Sequence, residues 1–363
     1  MNVLYLTDPA PDYLADQIYD GLCSLLEWKN VIDFPLKRLY HEPSAQGSAL
    51  TQNAGHDLTA DDVTSMIRER RFDMAVVSSP RKGPLEAFRL LTRQGNGTPV
   101  VLLDGEDDGR IRTDVADVVG AGLYFKREYK KPAAGLWGEE GWVRPATFSG
   151  DSRLEGRIHP LPFSATRASL IHGSTAMRDI DISFVGRASH RKRVRAVNLL
   201  RRTPGIRFEG GVYLEATDRR SKLATSWFGI AAAKLMGDRP APAWAHSARL
   251  SPQDYRALLY RSKMALSVRG GGFDTVRYWE IVACKTLLIS ETPDIVIPHN
   301  FEHGRHAMFC RHDLRDLPAI VRRLRADDDA RQVMIEAAYR HLLAYHTADR
   351  RAAYMLDLCR RML

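Results

Sequence analysis

Cysteine is scarce in this chain. Its 363 residues include four, Cys23, Cys284, Cys310 and Cys359, widely separated and without a Cys-x-x-Cys pair. That spacing excludes a disulfide framework and the usual zinc sites, and it fits free thiols in a reducing compartment. Long apolar runs are also missing: no stretch approaches the roughly 20 residues that cross a bilayer. The opening MNVLYLTDPAPDY has no basic stretch followed by an apolar core, so no secretory leader and a cytoplasmic location are expected. There is no short repeat or long low-complexity tract. Acidic charge is in deficit, with 44 Asp and Glu against 53 Lys and Arg and a net charge of +9. A basic balance suits phosphorylated ligands, nucleic acid or anionic surfaces. Much of the excess is arginine scattered over C-terminal helices (Arg322, Arg323, Arg325, Arg340, Arg360). That pattern reads as a solvated face, so nucleic acid is admitted but not favoured.

What is present is an alternation of strand and helix patterns, long enough for two domains. Apolar runs at 2–6, 31–34, 74–78, 100–103 and 123–126 read as strands of a parallel sheet, with helices between them. Residues 131–178 lack periodicity and read as linker and cover. A second series follows: a strand over 181–185 ending at Gly186-Arg187, a basic helix with Arg191, Lys192 and Arg193, and a strand over 206–208 ending at Gly210-Gly211. A helix capped by Ser251-Pro252 comes next, and capped helices run through the last 50 or so residues.

The stretch SVRGGGFDTVRYWEIVACKTLLIS, residues 267–290, carries the densest signal. It reads as strand, glycine turn, helix, strand. Glycines let backbone N–H groups approach an anion, and a helix N-terminus favours negative charge. Glu280, in an otherwise apolar helix, can accept hydrogen bonds from sugar hydroxyls, although an Arg277–Glu280 surface pair would also explain it. Gly186-Arg187 with the basic residues after it, Arg191 among them, occupies the carboxyl end of a strand, where open α/β sheets bind ligands. Arg187 and one of the cluster suit a diphosphate.

The segment RYWEIVACKTLLIS, the turn Phe301-Glu302-His303-Gly304 and the run Tyr345-His346-Thr347 with Arg350 (or Arg351) resemble the CgeB-type glycosyltransferase-like family. Arg277 and Glu280, Ala283, Phe301 and Gly304, and His346 and Thr347 carry the match, with the strand DISFVGR, over roughly 180–355. The resemblance implies an α/β GT-B fold: two Rossmann-like domains facing across a cleft, with a C-terminal helix crossing back to the N-terminal domain. It implies an N-terminal acceptor domain over 1–175 with the linker at 131–178, a nucleotide-sugar donor domain over 176–345 and a crossing helix over 346–363. The donor would be a UDP- or other nucleotide-diphosphate sugar. Glu280 would bind ribose hydroxyls. The backbone of Gly271, Gly272, Phe273, Asp274 and Thr275 would meet the diphosphate, and Gly186, Arg187 and Arg191 would flank it, with Arg277 beside Glu280.

Many retaining GT-B enzymes carry a second glutamate eight residues before the ribose-binding one. Gly272 stands there instead, which leaves retaining chemistry of that kind unsupported. An inverting transfer needs a base for the acceptor hydroxyl. Asp8, Asp104 and Glu106 follow N-terminal strands and are the candidates, although Asp also suits turns and caps. No metal is expected: Asp179-Ile180-Asp181 precedes a strand rather than forming a metal motif. The expected function is metal-independent sugar transfer to an unknown hydroxyl on a glycan, protein or small molecule. A catalytically silent binding or assembly protein, or a transferase acting on nucleic acid, are the alternatives.

Overall fold

A computed structural model describes residues 1–42, 53–91, 97–131, 154–170, 177–214 and 249–363. The chain forms two compact units: unit 1 comprises Met1–Ser169, Asp294–His299 and Leu343–Leu363, and unit 2 comprises Leu170–Pro293 and Asn300–Leu342.

Unit 1 is built on six strands, β1 (Val3–Leu6), β2 (Val31–Phe34), β3 (Met74–Val77), β4 (Val100–Asp104), β5 (Leu123–Lys126) and β6 (Ile158–Pro160). They lie in the order β2-β1-β3-β4-β5-β6, and every pairing is parallel. The strands are apolar runs because helices cover both faces of such a sheet. Leu4, Leu6, Val77 and Leu102 pack against Val63 and Ile67 of α3 (Ala60–Arg68), Phe88 of α4 (Lys82–Leu91) and Val115 of α5 (Thr113–Val119). Helix α3 starts at a capping box between Thr59 and Asp62. Strand β6 lies inside the stretch expected to be linker. At three residues it is too short for an alternation to show, and backbone pairing with β5 forms it.

Unit 2 carries β7 (Ile180–Arg187), β8 (Phe208–Tyr213), β9 (Ser262–Ser267), β10 (Leu287–Glu291) and β11 (Met308–Cys310), again all parallel, in the order β11-β10-β9-β7-β8. Phe184, Leu266, Ile289 and Val212 pack with Val197 and Leu200 of α6 (Arg191–Arg202). Helix α7 (Pro252–Arg261) starts at the Ser251 cap, α8 (Val276–Ala283) follows the glycine turn, and α9 (Leu317–Arg325) and α10 (Asp328–Tyr345) complete the series. Strand β8 runs through Gly210-Gly211, where a turn is expected. Gly210 has φ +121°, and a Cβ there would stand 2.0 Å from the Phe184 carbonyl oxygen. The glycine marks a close backbone approach inside a strand, not a strand end.

The last helix, α11 (Ala348–Met362), belongs to unit 1 and packs along α1 (Tyr13–Leu26). Gly21 permits the contact, since a Cβ there would sit 2.2 Å from the Ala348 carbonyl oxygen. His346, fully buried, bonds the His299 carbonyl through Nε2 at 2.8 Å, and Arg351 Nη2 lies 2.8 Å from its Nδ1. An arginine donates, so Nδ1 accepts and Nε2 carries the proton. Arg351, not the exposed Arg350, is therefore the arginine tied to this histidine.

Candidate functional site

Parallel strands end at one edge, so the carboxyl ends of β7, β9 and β10 lie side by side in unit 2. From β7 the chain passes to β8 on one side and to β9 on the other, which makes the β7/β9 boundary a topological switch point. Two segments leave it. One is Arg187 through His190 into α6, where the His190 ring caps the helix by accepting from the Lys192 N–H. The other is Arg269 through Thr275 into α8, closed by a bond from Gly270 N to Gly272 O of 2.8 Å. Both helices begin at this edge, and their first turns direct backbone N–H groups outward.

Arg193 joins the two segments. It is 6% exposed, and its Nε donates to the Val268 and Arg269 carbonyls at 3.2 and 2.9 Å while Nη1 donates to the Arg187 carbonyl at 2.9 Å. A Cβ on Gly270 would stand 2.8 Å from Arg193 Nη2, and one on Gly186 would stand 3.1 Å from Arg277 Nη2. Neither glycine has a left-handed backbone. At each, a guanidinium lies in the space a side chain would take.

Arg277 stands over the Phe184 ring, 5.1 Å from its centroid. It lies one turn from Glu280, on the same face of α8. Burial pushes the Glu280 carboxyl above its ordinary value, and the Arg277 and Arg256 charges partly offset that. The structure therefore groups Gly186, Arg277 and Glu280. Phe273 and Asp274 are buried: Phe273 packs edge-on to Tyr278, and Asp274 accepts from Trp279 Nε1 at 3.0 Å. Their side chains anchor the turn and leave its backbone, with exposed Gly271, at the edge. The Thr275 hydroxyl lies 3.1 Å from that of Ser267. Arg187 is half-buried and Arg191 exposed. The Phe301–Gly304 turn packs behind α8, with Phe301 against Tyr278 and Trp279.

The sequence reading missed Glu291. It ends β10 and is fully buried, and it accepts from Lys192 Nζ at 2.9 Å and from Arg269 N and Nε at 2.8 and 3.0 Å. Burial alone would raise its pKa, but the neighbouring His312 together with the Arg269 and Lys192 charges holds it well below the ordinary carboxylate range. An acid closing an apolar strand, as Arg187 closes β7, is the signal that could have found it.

In unit 1, Asp8 follows β1, half-buried beside Gly83, and accepts from the Ala10 N–H at 2.9 Å. Asp104 is fully buried, in an ion pair with Lys126 at 2.9 Å, and accepts from the Tyr124 hydroxyl and from Glu106 N. That carboxylate is committed to packing. Glu106, in the same turn, is partly exposed and 3.8 Å from Arg112. Among the described residues there is no group of three His, Cys, Asp or Glu side chains able to hold a metal ion, and no helix long and apolar enough to cross a membrane.

Residues 193–357 match the family model described as glycosyl transferase-like, a span that runs from Arg193 of α6 through the glycine turn, Glu280 and Glu291. A comparison with curated proteins found no match. Among solved structures the chain is similar to a glycosyltransferase from Rickettsia africae ESF-5 (TM-score 0.61, 9% identity, 99% of this chain and 98% of that one). It is also similar to sucrose-phosphate synthase from Thermosynechococcus elongatus (TM-score 0.56, 12% identity, 99% and 98%). A third is Anabaena HepE in complex with UDP-glucose (TM-score 0.55, 9% identity, 98% and 99%). The chain spans 58% of the length of TarM, which it also matches. The architecture is that of the GT-B glycosyltransferases, and the C-terminal half carries a glycosyl transferase-like segment.

Proposed function

We propose that the protein is a glycosyltransferase that moves a sugar from a nucleotide-diphosphate donor to a hydroxyl acceptor, without a bound metal, and that unit 2 holds the donor. The observation that carries this is the convergence of Arg187, the Gly270–Thr275 backbone and the Glu280 helix at one switch point, the last two within the glycosyl transferase-like segment. Arg187, Lys192 and the two helix N-termini would offset the charge that grows on the leaving diphosphate. Glu280 would accept from the ribose hydroxyls. Asp8 and Glu106, at strand ends of unit 1, are the carboxylates able to take the acceptor proton. The CgeB-type resemblance supports the same reading. The Anabaena structure's UDP-glucose supports a uridine donor.

A thermal-shift panel of UDP, GDP, ADP and dTDP with their sugars tests this. A ligand at about 100 times its Kd stabilises the native state by about 2.7 kcal/mol, enough to raise the melting temperature by several degrees. At least one nucleotide should do so, and Arg187→Ala and Glu280→Ala should each abolish most of that shift. A flat panel refutes the donor site. Release of free sugar from a stabilising donor, without an acceptor, separates a transferase from a silent binding protein.

A further inference from the structure

Glu291 takes no part in the phosphate or ribose contacts proposed above, yet it is fully buried at the edge where they converge. Its carboxylate joins three elements. Lys192 Nζ comes from the first turn of α6, the backbone N–H and Nε of Arg269 come from the residue before the glycine turn, and Glu291 itself ends β10. We propose that Glu291 is a positioning residue for the donor diphosphate: it holds the Lys192 ammonium and the Arg269 segment in the one arrangement that meets the phosphates. The proposal rests on the reading of this edge as the donor site.

A lysine on its own is a poor fixed contact, because its four-carbon stem is flexible. A buried carboxylate removes that freedom. The Glu291 carboxylate faces Lys192 and Arg269, with the His312 ring 3.8 Å away, so the edge stays cationic with the glutamate in place. It offsets one of the two positive charges and fixes where the other lies. The bond to Arg269 N also sets where the glycine turn begins, and Arg193 holds the same turn from the other side. A residue that only stabilised the fold would lower the melting temperature and leave nucleotide selectivity alone.

The test is calorimetry with UDP and UMP, or with the GDP, ADP or dTDP pair if the panel ranks one higher. The proteins are wild type, Glu291→Gln, Lys192→Met and the double variant. Glutamine keeps the shape and removes the charge. Glu291→Gln should weaken UDP about 10-fold or more, about 1.4 kcal/mol, and UMP by less than about twofold. In the Lys192→Met background it should add nothing further, because coupled residues are non-additive. Equal weakening of UDP and UMP, additive losses, or unchanged UDP affinity in Glu291→Gln would each overturn the positioning role. If Glu291→Gln does not fold, Glu291→Asp, which keeps the charge and shortens its reach, takes its place: a UDP-selective loss sustains the proposal, and an unchanged or unselective affinity overturns it. A wild type that binds no nucleotide overturns the donor site and this proposal together, whereas normal wild-type binding with an indifferent Glu291→Gln overturns this proposal only.

Discussion

Replacing Arg193 with methionine tests whether the basic start of α6 holds the two site segments together. The side chain is 6% exposed and bonds three carbonyls, two through a shared Nε and one through Nη1. Two engaged N–H groups at about 1.5–3 kcal/mol each suggest roughly 3–6 kcal/mol. Releasing the guanidinium from its desolvated site returns part of that, so the expected loss is about 3 kcal/mol. Methionine keeps the apolar stem but leaves the carbonyls of Arg187, Val268 and Arg269 without this donor. At about 2–4 °C per kcal/mol for a unit of this size, the transition of unit 2 should fall by about 6–12 °C. Differential scanning calorimetry or urea unfolding by circular dichroism reads it. Arg191, two residues earlier and exposed, is the control: Arg191→Met should stay within about 0.5 kcal/mol of wild type. A loss below about 1 kcal/mol in Arg193→Met, or equal losses in the two variants, would refute the assignment.

Gly210→Ala combines a left-handed φ with a 2.0 Å clash against the Phe184 carbonyl, so it should cost more than about 3 kcal/mol and show as insoluble or early-melting protein. The four thiols should react slowly with Ellman's reagent until denaturant is added, because all are buried and burial pushes Cys23, Cys284 and Cys359 up to about 12; a fast native-state burst would contradict this. Glu291 titrates below its ordinary value of 4.5 in the folded protein, so its ionised form stabilises the fold above that value and the contribution fades as pH falls through the folded value. The stability gap between wild type and Glu291→Gln should therefore narrow from pH 7 to pH 3 in urea titrations, and a gap that widens would reverse the sign of the argument.

Most strands were legible because they are short apolar runs, which is what a sheet covered on both faces requires, but β11, three residues long, was not expected. The helix start at Ser251 was legible from its cap. Strand β6 was not, since its pairing is written in β5 and not in its own three residues. Gly210 misled because a glycine for close approach and a glycine for a turn are the same letter. At the carboxyl edge of the unit 2 sheet, Arg187, the glycine turn and Glu280 could be read from local pattern. Glu291 is marked locally only as an acid closing an apolar strand, and its role could not be read there, because its partners are 99 and 22 residues away in sequence. Asp104 looked like an available strand-end carboxylate, and only its pairing with Lys126 shows it committed to the interior.

The packing of α11 on α1 bears on how the protein is made. Unit 1 contains the first residues of the chain but also residues 294–299 and 343–363. During synthesis the first sheet can form early, yet the face of α1 that meets Ala348 and Ala352 through Gly21 has no cover until the final segment has been translated. Unit 2 must emerge before unit 1 is complete. A newly made chain therefore carries an uncovered face of α1 until residues 343–363 have been made, and the His346 bond to His299 closes only when those residues dock. Loss of those residues would injure the unit that was made first.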